Sequence, residues 1–92
     1  MLHFKVGKIW KKEHEAVIAQ RVQDILLGRE HQPPQRNTNN NWALNDNDWW
    51  LRPQEDGTYQ LEYRYYKEER DKPFMDALKV ILEHEFVFGD PS

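Results

Sequence analysis

The dipeptide Asp56-Gly57 restricts the fold more than any other feature of the sequence, because it lies between two runs of alternating residues. Asp-Gly readily adopts the positive φ angles of a tight hairpin turn. The run DWWLRP precedes it. In the run TYQLEYRYY that follows, apolar and polar side chains alternate with the period of two expected of a half-buried strand. We therefore predict a β-hairpin over residues 48–66, with Pro53 at a strand end or a sheet edge because proline donates no ladder hydrogen bond.

The N-terminal third predicts a strand followed by a helix. Residues 2–10, LHFKVGKIW, also alternate with a period of two, and Gly7 is a candidate β-bulge. Over residues 12–28 the apolar residues instead fall within one helical stripe: Ile18, Ala19, Val22, Ile25 and Leu26. Gly28 suits the position just after a helix, because glycine adopts the left-handed conformation that ends one.

Residues 29–47 form a long polar segment between this helix and the hairpin. The segment contains Pro33-Pro34 and a run of asparagines, which have low propensity for helix and strand. A connection longer than about 12–15 residues without regular structure is usually functional or disordered. Trp42 and Leu44 are its only large apolar residues, and their spacing places both side chains on one face of an extended segment.

The C-terminal third predicts a second helix. Residues 67–72 form a charged connector, Asp71 is a candidate N-cap, and Pro73 suits the first helical position. Apolar residues then recur at helical spacing: Phe74, Leu78, Ile81 and Leu82. Residues 86–88 either extend this helix or form a short last strand. We favour the strand, because aromatic and β-branched residues cluster there and nearby acidic residues disfavour a helix C-terminus.

These elements describe one domain of the α+β class spanning residues 1–92, with a small antiparallel or mixed sheet and two helices. The predicted order is β-α-β-β-α, followed by a further strand if residues 86–88 are extended. With that strand, the order matches the split βαβ arrangement of ferredoxin-like domains. A shared fold implies no function, so function must be argued from particular residues.

The sequence lacks the residues on which most nucleophilic catalysis, phosphate binding and metal binding depend. The sequence has no cysteine, its only serine is Ser92, and its four glycines are too scattered for a phosphate-binding loop. Two Glu-His-Glu triplets occur, at 13–15 and 83–85. They do not present three ligands to one ion, because adjacent helical residues point about 100° apart. We therefore expect no catalytic residue, no metal site and no cofactor, and a protein that is not an enzyme.

Charge and hydropathy narrow the class of partner. The formal net charge of −3 disfavours nucleic acid and suits a partner with a basic surface. No apolar stretch approaches the ~20 residues needed to span a bilayer. The N-terminus also lacks the continuous apolar core of a signal peptide. We expect a cytoplasmic protein with no membrane partner.

The aromatic residues predict the functional surface. Trp49 and Trp50 are adjacent in a strand, so one ring points to the core and the other to the opposite sheet face. Trp, Tyr and Arg are enriched at interface hot spots, and a polar loop can become ordered on a partner. We therefore predict a small regulator, inhibitor or assembly factor that binds a protein partner. The residues assigned to this contact are Trp42, Leu44, Trp49, Arg52, Arg64 and Tyr66.

The alternative is a single-stranded nucleic-acid-binding domain. Tyr59, Tyr63 and Tyr65 share one strand face, and such rings with nearby arginines stack on bases. Leu61 lies on the same face, however, and indicates that this face packs on the core. A carbohydrate site is a third and weaker idea, and an edge strand of so small a sheet offers a route to a homodimer.

Overall fold

The structure, a computed structural model, describes residues 1–90. Five strands and two helices follow one another along the chain: β1 (Leu2–Lys5), α1 (Glu15–Leu27), β2 (Gln35–Arg36), β3 (Trp42–Asn45), β4 (Trp49–Pro53), β5 (Thr58–Tyr63) and α2 (Glu68–Phe88). A 3₁₀ turn, Lys12–His14, leads into α1. The α+β class with two helices is confirmed.

The sheet is antiparallel throughout, in the order β1-β5-β4-β3-β2. The predicted hairpin is β4-β5, in which Leu51 pairs with Leu61. Gly57 has a φ of 84°, in the left-handed region that glycine enters at little cost. The predicted element order is wrong, because two further strands lie between α1 and the hairpin. The ferredoxin-like arrangement is not confirmed: β1 is an edge strand, and no strand follows α2 within residues 1–90.

Both helices cover the same face of the sheet and enclose one core. Helix α2 packs mainly on β1, and α1 packs on β3. Large apolar side chains from every strand except β2 are buried against the two helices: Leu2, Phe4, Leu44, Leu51, Tyr59 and Leu61. The opposite face of the sheet carries no helix, so its alternate residues remain open to solvent.

Helix α2 is longer at both ends than the sequence predicts. It begins at Glu68 rather than at Pro73. Asp71 therefore lies within the first turn of the helix and not at the N-cap, and its carboxylate accepts a hydrogen bond from the backbone N–H of Lys67 at 2.9 Å. It also continues to Phe88, so the predicted strand at 86–88 is wrong. The cause is Phe86, a fully buried ring that packs against Phe4 and Trp10 on the helical face that also buries Met75, Leu78 and Leu82.

The buried face of α1 is rotated from the predicted stripe. Ile18, Ala19 and Val22 are buried as expected, but Ile25 is 36% exposed. Gln23 is buried in its place, with only 1% of its surface exposed. Its side-chain amide donates to the carbonyl oxygens of Leu44 and Gln32, and its own oxygen accepts from Gln20. A polar residue satisfied in this way costs little to bury.

The polar segment 29–47 is not structureless, because it contains strands β2 and β3. The asparagine run forms the turn between them: the backbone N–H groups of Asn39 and Asn41 donate to the side-chain oxygen of Asn37. Asn40 has a φ of 63°, a conformation that asparagine tolerates better than most residues. Leu44 lies in the core with 1% exposure. The residues that lowered the strand propensity therefore build the hairpin turn.

Gly7 lies beyond the end of β1 and marks a close approach rather than a bulge. A Cβ atom at this position would be 2.8 Å from the carbonyl oxygen of Phe86. Gly89 is equally confined, since a Cβ there would be 3.2 Å from the Trp10 ring and closer still to the Glu85 carbonyl oxygen. The two glycines let the segment after β1 pack directly on the C-terminal end of α2.

Candidate interaction surface on the open sheet face

The strands fix which side chains face away from the helices. Buried Leu2, Leu51 and Leu61 are cross-strand neighbours, so residues at alternate positions lie on the open face. On the three strands β1, β5 and β4 these residues are His3, Lys5, Thr58, Gln60, Glu62, Trp50 and Arg52. The open face therefore combines one large ring with several charged groups.

Trp50 is the tryptophan that faces outward, and Trp49 lies on the helix-covered side. Trp49 pairs with Tyr63 across the β4-β5 ladder, and the two rings stack with centroids 4.4 Å apart at the margin of the core. The register explains this, because Trp49, Leu51 and Pro53 share one strand face. Trp49 was predicted to lie on the outward surface, and the structure places Trp50 there instead.

The ring of Trp50 belongs to a polar network with its neighbours. The guanidinium of Arg52 lies 5.5 Å from the ring centroid, within the range of a cation–π contact. Arg52 also donates from Nε to Glu62 Oε2 at 2.6 Å. The indole N–H of Trp50 donates to the carbonyl oxygen of Asn47 at 3.0 Å. The ring is thus held in one orientation on the sheet, which lowers the entropy lost when it contacts another molecule.

A shallow cavity of about 470 Å³ lies beside this network, lined by Asn47, Trp50, Arg52, Glu62, Tyr63 and Arg64. Arg64 follows β5, and its guanidinium lies 5.5 Å from the centroid of the exposed Tyr65 ring. Within residues 1–90, its guanidinium has no hydrogen bond or ion pair with an acidic group. The cavity therefore combines the indole ring of Trp50 with a cation that lacks an acidic partner within residues 1–90.

The open face is locally basic although the chain is acidic. Lys5, Arg52 and Arg64 are its cations, and Glu62 is the carboxylate on its strands. Asp48 lies opposite Arg64 just before β4, where its carbonyl oxygen accepts the backbone N–H of Arg64 at 2.8 Å. A further acid, Asp56, lies in the β4-β5 turn. There the hydroxyl and backbone N–H of Thr58 donate to its carboxylate and lower its pKa. Most other carboxylates lie on the helices and in loops, so the two sides of the molecule differ in charge.

The structure separates the other predicted contact residues from this surface. Trp42 is half-buried on the covered side, where its indole N–H donates to the carboxylate of Glu15 at 2.8 Å. Leu44 is buried in the core, and Tyr66 packs against the core. Of the six predicted residues, only Arg52 and Arg64 therefore lie at the open-face cavity. Trp50 was missed as the outward ring, because alternation alone does not say which of two adjacent residues faces the core.

The tyrosines proposed for base stacking do not form an open platform. Tyr59 is only 6% exposed, and burial, with a smaller effect of the nearby Glu15 carboxylate, raises its pKa to about 12. Tyr63 is covered by Trp49 on the same side of the sheet. Of the three rings, Tyr65 alone is exposed.

Neither helix within residues 1–90 is long and apolar enough to cross a membrane. The same range holds no group of three or more histidine or acidic side chains arranged to bind a metal ion. Comparisons with models of protein families, with curated proteins and with solved structures find no match to this chain.

Proposed function

We propose that this chain is a small protein-interaction module that binds an acidic, extended segment of a partner protein on its open sheet face. The observation that carries the proposal is the cavity beside Trp50, where Arg64 has no acidic partner among residues 1–90. A carboxylate from a partner would form a charge-assisted hydrogen bond with this guanidinium, and such bonds are roughly twice as strong as neutral ones.

The residue types at the cavity support a protein contact. Trp and Arg are among the residues most enriched at interface hot spots, and Trp50, Arg52 and Arg64 line the cavity. The contacts of Trp50 with Arg52 and with the Asn47 carbonyl oxygen hold the indole in place before binding. A preorganised ring loses less conformational entropy on binding than a mobile one.

The local charge favours an acidic partner segment over the basic partner suggested by the net charge. The cations Lys5, Arg52 and Arg64 share this face with the carboxylate of Glu62, which is already paired with Arg52. Binding is governed by the potential at the contact surface, and the two helices, which carry half of the acidic residues, lie on the other side of the sheet.

Nucleic acid is the competing anionic partner and has weaker support. Binding of single strands relies on several rings that stack on successive bases. Among the residues described, β4 and β5 offer the single ring of Trp50 on the open face, and Arg52 already lies near it.

The test is selection from a library of random twelve-residue peptides displayed on phage, with the wild-type protein as bait. We expect the selected peptides to be rich in Asp and Glu and to bind at least tenfold more weakly to R64A and W50A, as measured by fluorescence polarisation. The loss of one charge-assisted hydrogen bond accounts for about this factor in R64A, and the loss of a large interface ring accounts for it in W50A.

The matched control is R29A, which removes an exposed arginine outside the sheet. Equal binding of acidic peptides to R29A and R64A would contradict the proposal. So would the absence of any selected sequence preference. Salt-sensitive binding of labelled oligo-dT that is lost in W50A would favour the nucleic-acid function instead.

A further inference from the structure

Helix α2 has a second apolar face that points away from the core. Seven exposed residues form it, with no Asp, Glu, Lys or Arg among them: Phe74, Ala77, Val80, Ile81, His84, Val87 and Phe88. We name these seven residues the outer face of α2. Ile81 is 52% exposed, and Phe88 is 76% exposed. Monomeric proteins seldom leave a contiguous apolar patch of this kind in water, and such patches mark interaction sites.

We propose that the outer face of α2 is covered by the outer face of α2 from a second copy of this chain, with the two helices antiparallel. The proposal concerns a surface separate from the cavity beside Trp50. Helix α2 and that cavity lie on opposite sides of the sheet, so the dimer and the proposed partner segment do not compete for the same residues.

The spacing of the large side chains suits a two-fold axis. Phe74 and Phe88 each lie seven residues from Ile81, so a helix turned end to end about Ile81 brings Phe74 of one copy opposite Phe88 of the other. Ala77 lies four residues before Ile81, and His84 lies three residues after it. The small side chain of one copy therefore lies opposite the larger imidazole of the second copy. An interface between identical copies must be self-complementary in this way.

The same residues follow the heptad pattern of packed helices. Phe74, Ala77, Ile81, His84 and Phe88 alternate in steps of three and four, which keeps them on one side of the helix. The ring of His84 already contacts that of Phe88, with centroids 5.0 Å apart. The stripe runs over fifteen residues, from Phe74 to Phe88, a rise of about 21 Å.

The exposed area reaches what a specific but weak dimer needs. Side chains of this size have surfaces of about 150–250 Å², so the outer face exposes on the order of 500 Å² of apolar area. Two copies would bury about 1,000 Å² in total, the lower end of specific interfaces. We therefore expect a reversible dimer that dissociates on dilution.

The charge on the rest of α2 argues against a lipid surface as the occupant. Helices that lie on membranes carry an excess of Lys and Arg on the polar side. The polar side of α2 instead alternates Lys72, Asp76, Lys79 and Glu83, with Lys72 and Asp76 joined in an ion pair of 2.7 Å. Because the outer face of α2 contains no Asp, Glu, Lys or Arg, two copies with a net negative charge can meet there without repulsion between like charges at the contact.

The first test is sedimentation velocity over a range of concentrations from about 1 to 500 μM. We expect the wild-type protein to shift from monomer to dimer, and we expect I81E to remain monomeric across the range. The matched control is I9E, because Ile9 is 51% exposed and lies outside α2. Circular dichroism of both variants shows that they are folded. A wild-type protein that stays monomeric at 500 μM would overturn the proposal, as would equal dissociation of I81E and I9E.

Crosslinking tests the direction of the helices. Because the chain has no cysteine, I81C introduces a single thiol at the proposed two-fold axis. Mild oxidation should convert most I81C protein at high concentration into a disulfide-linked dimer and leave I9C monomeric. A mixture of F74C and F88C should crosslink to each other and neither to itself. Crosslinking of F74C with itself would show parallel helices and overturn the antiparallel arrangement.

Discussion

The side-chain amide of Gln23 donates to the carbonyl oxygen of Leu44, joining the middle of α1 to β3 across 21 positions of sequence. The same amide donates to the carbonyl oxygen of Gln32 at 2.8 Å. One buried side chain thus satisfies two backbone acceptors and holds the segment that precedes β2 together with the outer strands.

Replacing Gln23 with leucine should therefore destabilise the fold although leucine is apolar and similar in size. The carbonyl oxygen of Leu44 loses its donor at a buried position and that of Gln32 at a partly buried one, and we expect a loss of about 2–3 kcal/mol in the free energy of unfolding. Urea titration followed by tryptophan fluorescence measures it. Q35L, at an exposed position on β2, is the control and should change stability by less than about 0.5 kcal/mol. A near-neutral Q23L would show that water replaces the lost donors.

The rotated face of α1 predicts different costs for two isoleucines. Ile18 is fully buried, so I18A should lose about 2–4 kcal/mol in the free energy of unfolding through lost burial and a cavity. Ile25 is partly exposed, and alanine favours a helix, so I25A should lose less than about 1 kcal/mol. Urea unfolding of both variants compares them directly. A larger loss for I25A than for I18A would mean that α1 packs with the face first predicted from its sequence.

Gly7 should not tolerate even a methyl group. A Cβ 2.8 Å from the Phe86 carbonyl oxygen forces backbone to move, because neither group is the end of a flexible side chain. We expect G7A to lose about 1–3 kcal/mol, the usual cost of overpacking. Differential scanning calorimetry gives the change in Tm, with K8A at the exposed neighbouring position as the control. An unchanged Tm in G7A would show that the segment after β1 does not pack this closely on α2.

Asp71 should make the start of α2 sensitive to acid. Hydrogen bonds from the Arg70 guanidinium, and then from the backbone N–H of Lys67, lower the pKa of this carboxyl from 3.8 to about 2. A carboxyl whose pKa is lower in the folded state stabilises that state above pH 4. This contribution is lost as the pH falls from about 4 to 2.

The measurement is the urea midpoint at several values of pH for the wild-type protein and D71N. The wild-type midpoint should fall more steeply than that of D71N between pH 4 and pH 2, and D71N should be the less stable of the two at pH 7. The control is E69Q, because the side chain of Glu69 makes no hydrogen bond or ion pair within residues 1–90. It should keep the wild-type pH profile. Parallel profiles for the wild-type protein and D71N would refute this assignment.

The parts of the fold that could be predicted are those set by local sequence. The β4-β5 hairpin follows from Asp56-Gly57 and the alternation around it, and α1 follows from its helical period and from Gly28. The strands β2 and β3 could not be predicted in the same way. They depend on Gln23 and on the burial of Leu44, which are contacts between distant residues, while the asparagines between them have low strand propensity.

The buried side of α2 was only partly predictable, because the helix has two apolar stripes. Met75 and Phe86 lie on the stripe that packs on the core, while Phe74 and Ile81 lie on the other. Period alone does not distinguish them. The choice is made by the contacts with Phe4 and Trp10, which come from the other end of the chain. The same ambiguity affected Trp49 and Trp50, where the register with β5 decides which ring faces outward.

The pairing of β1 with β5 also sets the order in which the chain can fold during synthesis. His3 lies beside Thr58, 55 residues later, and β1 is completed by packing against α2. The β4-β5 hairpin and α1 form from nearby residues, but β1 has no partner until β5 has been made and no cover until most of α2 has left the ribosome. Leu2 and Phe4 therefore stay exposed until β5 and most of α2 have been made, and β1 is among the last of the five strands to be buried.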